Sequence, residues 1–115
     1  MQFHSINPAT EELLGDFVGL TFEEAFDYAK QVRQAQKAWA RVAISKRCGL
    51  INRLAKTLRE HLERSAKLIT LEMGKPIAQS KAEVEKCAWL CEYYGKNGEE
   101  LLKPESVKTE AKESF

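Results

Sequence analysis

The stretch Thr70-Leu71-Glu72-Met73-Gly74-Lys75-Pro76 divides the helical part of this chain in two. Glycine takes the left-handed position that ends a helix without a Cβ clash, and proline cannot continue the hydrogen-bond ladder. Upstream, Leu50, Ile51, Leu54, Ala55, Leu58 and Leu62 recur at helical spacing, and the pattern runs on through Ala66, Ile69 and Met73. Ser45 is the expected cap of that helix, and a bend is expected near Arg64. Downstream, a last helix from about Ile77 to Leu102 carries Val84, Cys87, Ala88, Cys91 and Tyr94 as its apolar stripe. Gly95 and Gly98 are expected to weaken its final turns.

Working toward the N-terminus, Thr21-Phe22-Glu23-Glu24 matches a capping box. Phe22, Ala25, Phe26, Ala29 and Val32 follow on one face, with Trp39 near the end. The acids Glu23, Glu24 and Asp27 open this helix, while Lys37 and Arg41 close it, an order that complements the helix dipole. Residues 2–18 read as two short strands around Asn7-Pro8-Ala9-Thr10, because Asn7, preceding proline, is pushed out of helical space. Beyond Pro104, Val107, Thr109, Ala111 and Phe115 suggest a strand that stops in mid-element. The expected fold is mostly α with a small N-terminal β-hairpin.

At 115 residues the chain has the size of one domain, too short for a complete multi-domain enzyme. Its 43% hydrophobic and 30% charged residues are a globular composition. Lys and Arg number 18 against 17 Asp and Glu, a formal charge of +1 that gives no global pull toward nucleic acid or anionic lipid. Gln2, His4, Ser5 and Asn7 make the start polar, so no secretory leader is read there. No apolar run approaches the ~20 residues that span a bilayer. Cys48, Cys87 and Cys91 are an odd set without secreted-domain spacing, which points to reduced thiols in the cytoplasm.

Three sets of residues are candidates for chemistry. Cys87 and Cys91 lie one helical turn apart and, with His4 and His61, are the candidate zinc ligands; packing in the apolar stripe is the reading preferred for both. Cys48 falls in the first turn of its helix, where the dipole favours a thiolate, yet no base is placed beside it by the sequence. Lys46, Arg47, Arg53, Lys56, Arg59, Arg64 and Lys67 make the second helix basic, which is one signature of a phosphate-binding surface. Against that, Glu83, Glu85, Glu92, Glu99 and Glu100 make the last helix acidic, so a solvated face partly paired with that helix is the better account. No glycine-rich phosphate loop occurs.

Asn7-Pro8-Ala9-Thr10-Glu11-Glu12, then Thr70 to Pro76, then Glu83-Val84-Glu85-Lys86-Cys87-Ala88-Trp89 follow one another in an order and spacing that define a family. With Ala38-Trp39 and Tyr93-Tyr94 they closely resemble the N-terminal part of NAD(P)-dependent aldehyde dehydrogenases. The Glu-Lys-Cys-Ala-Trp stretch is similar to bacterial succinate-semialdehyde dehydrogenases. The resemblance covers roughly Ser5 to Phe115.

It implies a three-domain α/β enzyme several times longer than this chain, in which a cysteine attacks the aldehyde and hydride passes to NAD or NADP. It also implies that the nucleophile, the base glutamate and the cofactor-binding glycine motif lie downstream, so no catalytic, cofactor-binding or metal residue is expected here. Cys48, Cys87 and Cys91 do not correspond to the nucleophile. Residues 1–103 would be the hairpin and helices of an incomplete cofactor-binding domain, and 104–115 the start of the oligomerisation arm. By resemblance, Tyr94 to Glu99 would lie near the substrate-tunnel entrance. The expected partners are a second copy or the remainder of the enzyme, with no nucleic acid and no membrane, and the expected location is the cytoplasm. The alternative is a non-enzymatic helical module that binds a partner through the same uncovered surfaces.

Overall fold

The computed structural model describes residues 1–107. Among them are a two-stranded antiparallel hairpin, β1 (Gln2–Ile6) and β2 (Leu13–Val18), and four helices: α1 (Phe22–Trp39), α2 (Ile44–Glu60), α3 (Leu62–Met73) and α4 (Ile77–Leu101). The mostly helical fold with its N-terminal hairpin is as read from the sequence. The strand expected over Val107 to Phe115 lies outside the described residues from position 108 on, and Val107 is exposed and in no strand.

In the hairpin, Gln2 pairs with Val18 and Ser5 with Gly15, and the register shifts between Ser5 and Ile6. Its loop is organised by Asn7, whose side-chain oxygen accepts from the Ala9 amide at 2.9 Å while its own amide donates to Glu12 at 2.9 Å. Glu11 takes a left-handed φ of 62° to close the turn, its amide donating to the Asn7 carbonyl at 2.8 Å. Asn7 is consequently buried although polar.

The capping box at the start of α1 is complete. Glu24 donates its amide to the Thr21 hydroxyl at 3.2 Å, and Thr21 donates its amide to the Glu24 carboxylate at 2.8 Å. That backbone bond from Thr21 holds the Glu24 carboxyl below its usual pKa. The charged cap is therefore fully present above the ordinary carboxylate range and is lost as pH falls through the lowered value. The cap expected at Ser45 is not formed: α2 is capped two residues earlier, at Ala43, without a side-chain cap bond, because the Ala43 carbonyl already accepts from the Lys46 and Arg47 amides. The bend expected near Arg64 falls at His61, where φ is −104° and ψ 15° and the ladder is carried across by Ser65 donating to the His61 carbonyl at 2.9 Å. Gly74, at φ 68°, ends α3 in the left-handed conformation as read.

α2 and α3 lie antiparallel along α4, and the core is the seam between them. Its buried residues are small: Cys48 and Ala55 from α2, Ala66 from α3, and Ser80, Val84 and Ala88 from α4. Ser80 is satisfied there by the Thr70 hydroxyl at 2.9 Å. Gly95 and Gly98 belong to the same seam. A Cβ on Gly98 would stand 2.8 Å from Cys48 Sγ, and one on Gly95 would stand 2.0 Å from Asn52 Oδ1. The two glycines do not fray α4, which runs through both to Leu101. They are where α2 touches it. Each gives up about 1 kcal/mol of helix propensity relative to alanine, and the close approach offsets that loss.

The chain is open in shape. Its radius of gyration is 20.2 Å, against about 13 Å for a compact domain of this length. Its accessible surface is 9976 Å², against roughly 6400 Å² for a folded monomer of this mass. α1 accounts for part of the excess: its capping box is formed, but none of its residues is buried.

Replacing Gly98 by Ala should lower stability by about 1 kcal/mol, because crowding against the short, buried Cys48 outweighs the propensity gain. Adding Cys48→Ala should recover most of that loss, since the two changes share one contact. Thermal unfolding followed by circular dichroism reads both. An equal or larger loss in the double variant would show that the seam is not closed at this contact.

Candidate functional site

The C-terminal turn of α3 is where distant parts of the sequence meet. Pro8 from the hairpin loop sits over Gly74, where a Cβ would be 3.0 Å from the proline ring. Ser5 donates to the Glu72 carboxylate at 2.7 Å. Lys75 forms an ion pair with Glu83 on the next helix, and Lys81 another with Glu63 at 2.7 Å. Gly74 is thus required twice, by its backbone angle and by the proline packed on it. All three segments that carry the sequence resemblance converge on this turn, which docks the hairpin onto the α3–α4 pair.

On the other side of the seam, Arg59 of α2 reaches α4. Its guanidinium forks onto Glu92, with one bond of 3.0 Å, and donates to Glu85 at 2.8 Å. The bonds to Glu92 and Glu85 push the Arg59 pKa up, and Arg59 in turn holds Glu92 below the usual carboxylate range. The basic helix is therefore partly paired with the acidic one through Arg59. Lys46, Arg53 and Lys56 remain exposed.

The candidate ligands and nucleophiles are scattered. Cys48 is buried against α4, its sulfur 3.9 Å from the Tyr94 carbonyl. Cys91 is half-buried at the edge of the seam. Cys87 is exposed, which corrects the reading that placed it in the core. The seam face of α4 runs Ser80, Val84, Ala88, Cys91, Gly95 and Gly98, and Cys87 sits about 100° around the helix from Ala88. His4 pairs with Asp16 across the hairpin, and His61 is exposed at the α2–α3 bend. Among the described residues, no group of three or more His, Cys, Asp and Glu side chains could hold a metal ion.

Two uncovered apolar features involve α4. Beside the start of α2 and the end of α4, a groove is lined by Trp39, Ile44, Arg47, Cys48, Tyr94 and Leu101. Arg47, which the sequence offered only as part of a basic stripe, turns inward here, and its Nε is buried with no hydrogen-bond partner among the described residues. On the face of α4 away from the seam, Lys86, Trp89, Leu90 and Tyr93 line a second shallow depression. Trp89 is 69% exposed and Leu90 54%. A helix with apolar side chains on both faces belongs between two layers, and among the described residues only one layer packs on it.

Comparison with known proteins gives a consistent answer. Residues 1–115 match the description "Aldehyde dehydrogenase family". A succinate-semialdehyde dehydrogenase [NADP(+)] of Deinococcus radiodurans is 32% identical over 105 residues, 91% of this chain and 22% of that protein. A succinate semialdehyde dehydrogenase [NAD(P)+] of Escherichia coli K12 is 36% identical over 106 residues, 92% of this chain and 23% of that protein. The crystal structure of succinic semialdehyde dehydrogenase from Streptococcus pyogenes, solved with NADP+, superimposes with a TM-score of 0.86 at 26% identity. That match covers 94% of this chain and 24% of the other. The chain spans about a quarter of the length of these relatives.

The three thiols should differ in reactivity in the order of their burial. A maleimide reagent under native conditions should modify Cys87 first, Cys91 more slowly and Cys48 only on unfolding, as followed by peptide mass spectrometry. Early modification of Cys48 would mean that α2 and α4 part readily.

Proposed function

Because the chain belongs to the aldehyde dehydrogenase family, we propose that it forms the N-terminal part of an enzyme that oxidises succinate semialdehyde to the acid with NADP or NAD. The observation that carries this reading is the meeting of the three motif segments at the α3 cap, within a fold that follows an NADP-bound succinic semialdehyde dehydrogenase over 94% of this chain. The names of the relatives from Deinococcus and Escherichia supply the substrate and the cofactor.

In this reading residues 1–103 are the hairpin and helices of a cofactor-binding domain, and 104–115 begin an oligomerisation arm. The segment works as a scaffold. Forming a thiohemiacetal requires a cysteine sulfur that a carbonyl carbon can approach with a base alongside. Cys48 Sγ is instead enclosed by Gly98 and the Tyr94 carbonyl. α2 and α4 follow Ala43 and Pro76, without the glycine-rich turn that receives the pyrophosphate of a nicotinamide cofactor. No hydride step is therefore assigned to this chain. The remaining domains would cover the uncovered faces of α1 and α4. No helix among the described residues is long and apolar enough to cross a membrane, and the location proposed is the cytoplasm.

A second reading, a non-enzymatic interaction module, is favoured by the same two faces, since a helical partner could occupy them equally well.

Incubated with succinate semialdehyde and either NADP or NAD, the purified 115-residue chain should yield no reduced cofactor above a protein-free blank. A protein translated in frame beyond codon 115 should oxidise this aldehyde and should lose activity when a cysteine downstream of position 115 is replaced. Turnover by the 115-residue chain alone would overturn the scaffold reading. An inactive longer product would favour the interaction module.

A further inference from the structure

Cys87 and Cys91 have no part in the scaffold reading. They lie one turn apart on α4, Cys87 exposed and Cys91 half-buried, and both are free thiols. Side chains at this helical spacing have Cβ atoms roughly 5–6 Å apart. A disulfide needs about 3.5–4.5 Å between them, so an intact helix keeps the two thiols from oxidising onto each other. A single ion can span the gap. At about 2.3 Å for each metal–thiolate bond, two sulfurs on opposite sides of an ion stand about 4.6 Å apart.

The surroundings limit the donors to these two. One turn before Cys87, Glu83 is held in an ion pair by Lys75. One turn after Cys91 stands Gly95, where Asn52 of α2 fills the space of a side chain. Among the described residues no third His, Cys, Asp or Glu joins the pair, which excludes the four-ligand set of a structural zinc. Helical spacing instead sets Leu90 and Tyr94, each three residues on from one of the cysteines, along the same side of α4. Two thiolates with apolar neighbours and no oxygen donor suit a soft ion that is content with two ligands.

We propose that Cys87 and Cys91 form a two-coordinate site for monovalent copper. Binding releases one proton from each thiol to solvent and leaves a singly negative bis-thiolate complex, with no change in oxidation state. Affinity therefore rises with pH. Both ligands come from one turn of one helix, so the site is complete in this chain and is independent of the aldehyde-oxidation reading.

Anaerobic titration of the full 115-residue chain with copper(I), in competition with a chromogenic copper(I) chelator, tests it. The wild-type chain should take up one ion per chain and stay monomeric in native mass spectra. At ~10 µM protein, a sulfur from another chain is about a hundredfold more dilute than the millimolar effective concentration of one on the same helix. Cys87→Ser, a change at an exposed position, should therefore weaken binding by about a hundredfold. Lys86→Cys/Cys87→Ser keeps the number of thiols and an exposed one among them, but sets the pair about 140° apart around α4. It should lose as much as Cys87→Ser alone. Equal binding by that relocated pair would mean adventitious thiol capture and would overturn the proposal. So would no uptake by the wild-type chain, or copper that bridges two chains.

Discussion

Where α4 carries no side chain at Gly95 and Gly98, α2 comes close enough for Asn52 and Cys48 to fill the space a Cβ would need. Ala55, Ala66, Ser80, Val84 and Ala88 continue the contact, so three helices are held on a seam of small residues. Small residues release little apolar area each, but they allow many backbone-to-side-chain contacts at short range. The seam fixes the line of α2, α3 and α4. The cap at Gly74 then fixes where the hairpin sits, through Pro8 and Ser5. Many of the largest apolar side chains, Phe22, Phe26, Trp89 and Tyr93 among them, are arranged outside this frame.

That inversion explains the open shape. In most single domains the aromatic and branched residues make the core, whereas here Phe22, Phe26, Trp89, Leu90 and Tyr93 lie mainly in water. At about 25 cal/mol per Å² the surface they present is a large reserve of burial free energy, available to whatever covers it. The cover proposed above is the remainder of a longer enzyme, in keeping with family membership.

The parts of the fold legible in sequence were those set by local chemistry. Thr21 and Glu24 announce a capping box, Asn7-Pro8 a turn, and Gly74 with Pro76 a stop and a start, because each acts within a few residues. Readings that depended on packing fared less well. Cys87 joined the apolar stripe in sequence yet faces water, because the true seam is drawn by alanine, serine and glycine, which contribute little to a hydrophobic pattern. Gly95 and Gly98 looked like weak points for the same reason. Two glycines three residues apart inside a helical run did hold a clue, since their propensity loss asks for a close neighbour. The identity of that neighbour, α2, is set by tertiary structure alone. Of the candidate chemistry, the pairing of the basic and acidic helices was legible and is realised at Arg59, while the inward turn of Arg47 was not.

Amide hydrogen exchange on the dilute, monomeric chain tests the central claim most directly, because it ranks segments by the free energy needed to open them. If the small-residue seam holds the structure, the slowest amides will cluster in α2 from Cys48 to Ala55 and in α4 from Ser80 to Gly98. Those of α1 will exchange at close to unfolded rates. Protection in α1 equal to that in α4, or no protected cluster at the seam, would contradict the account.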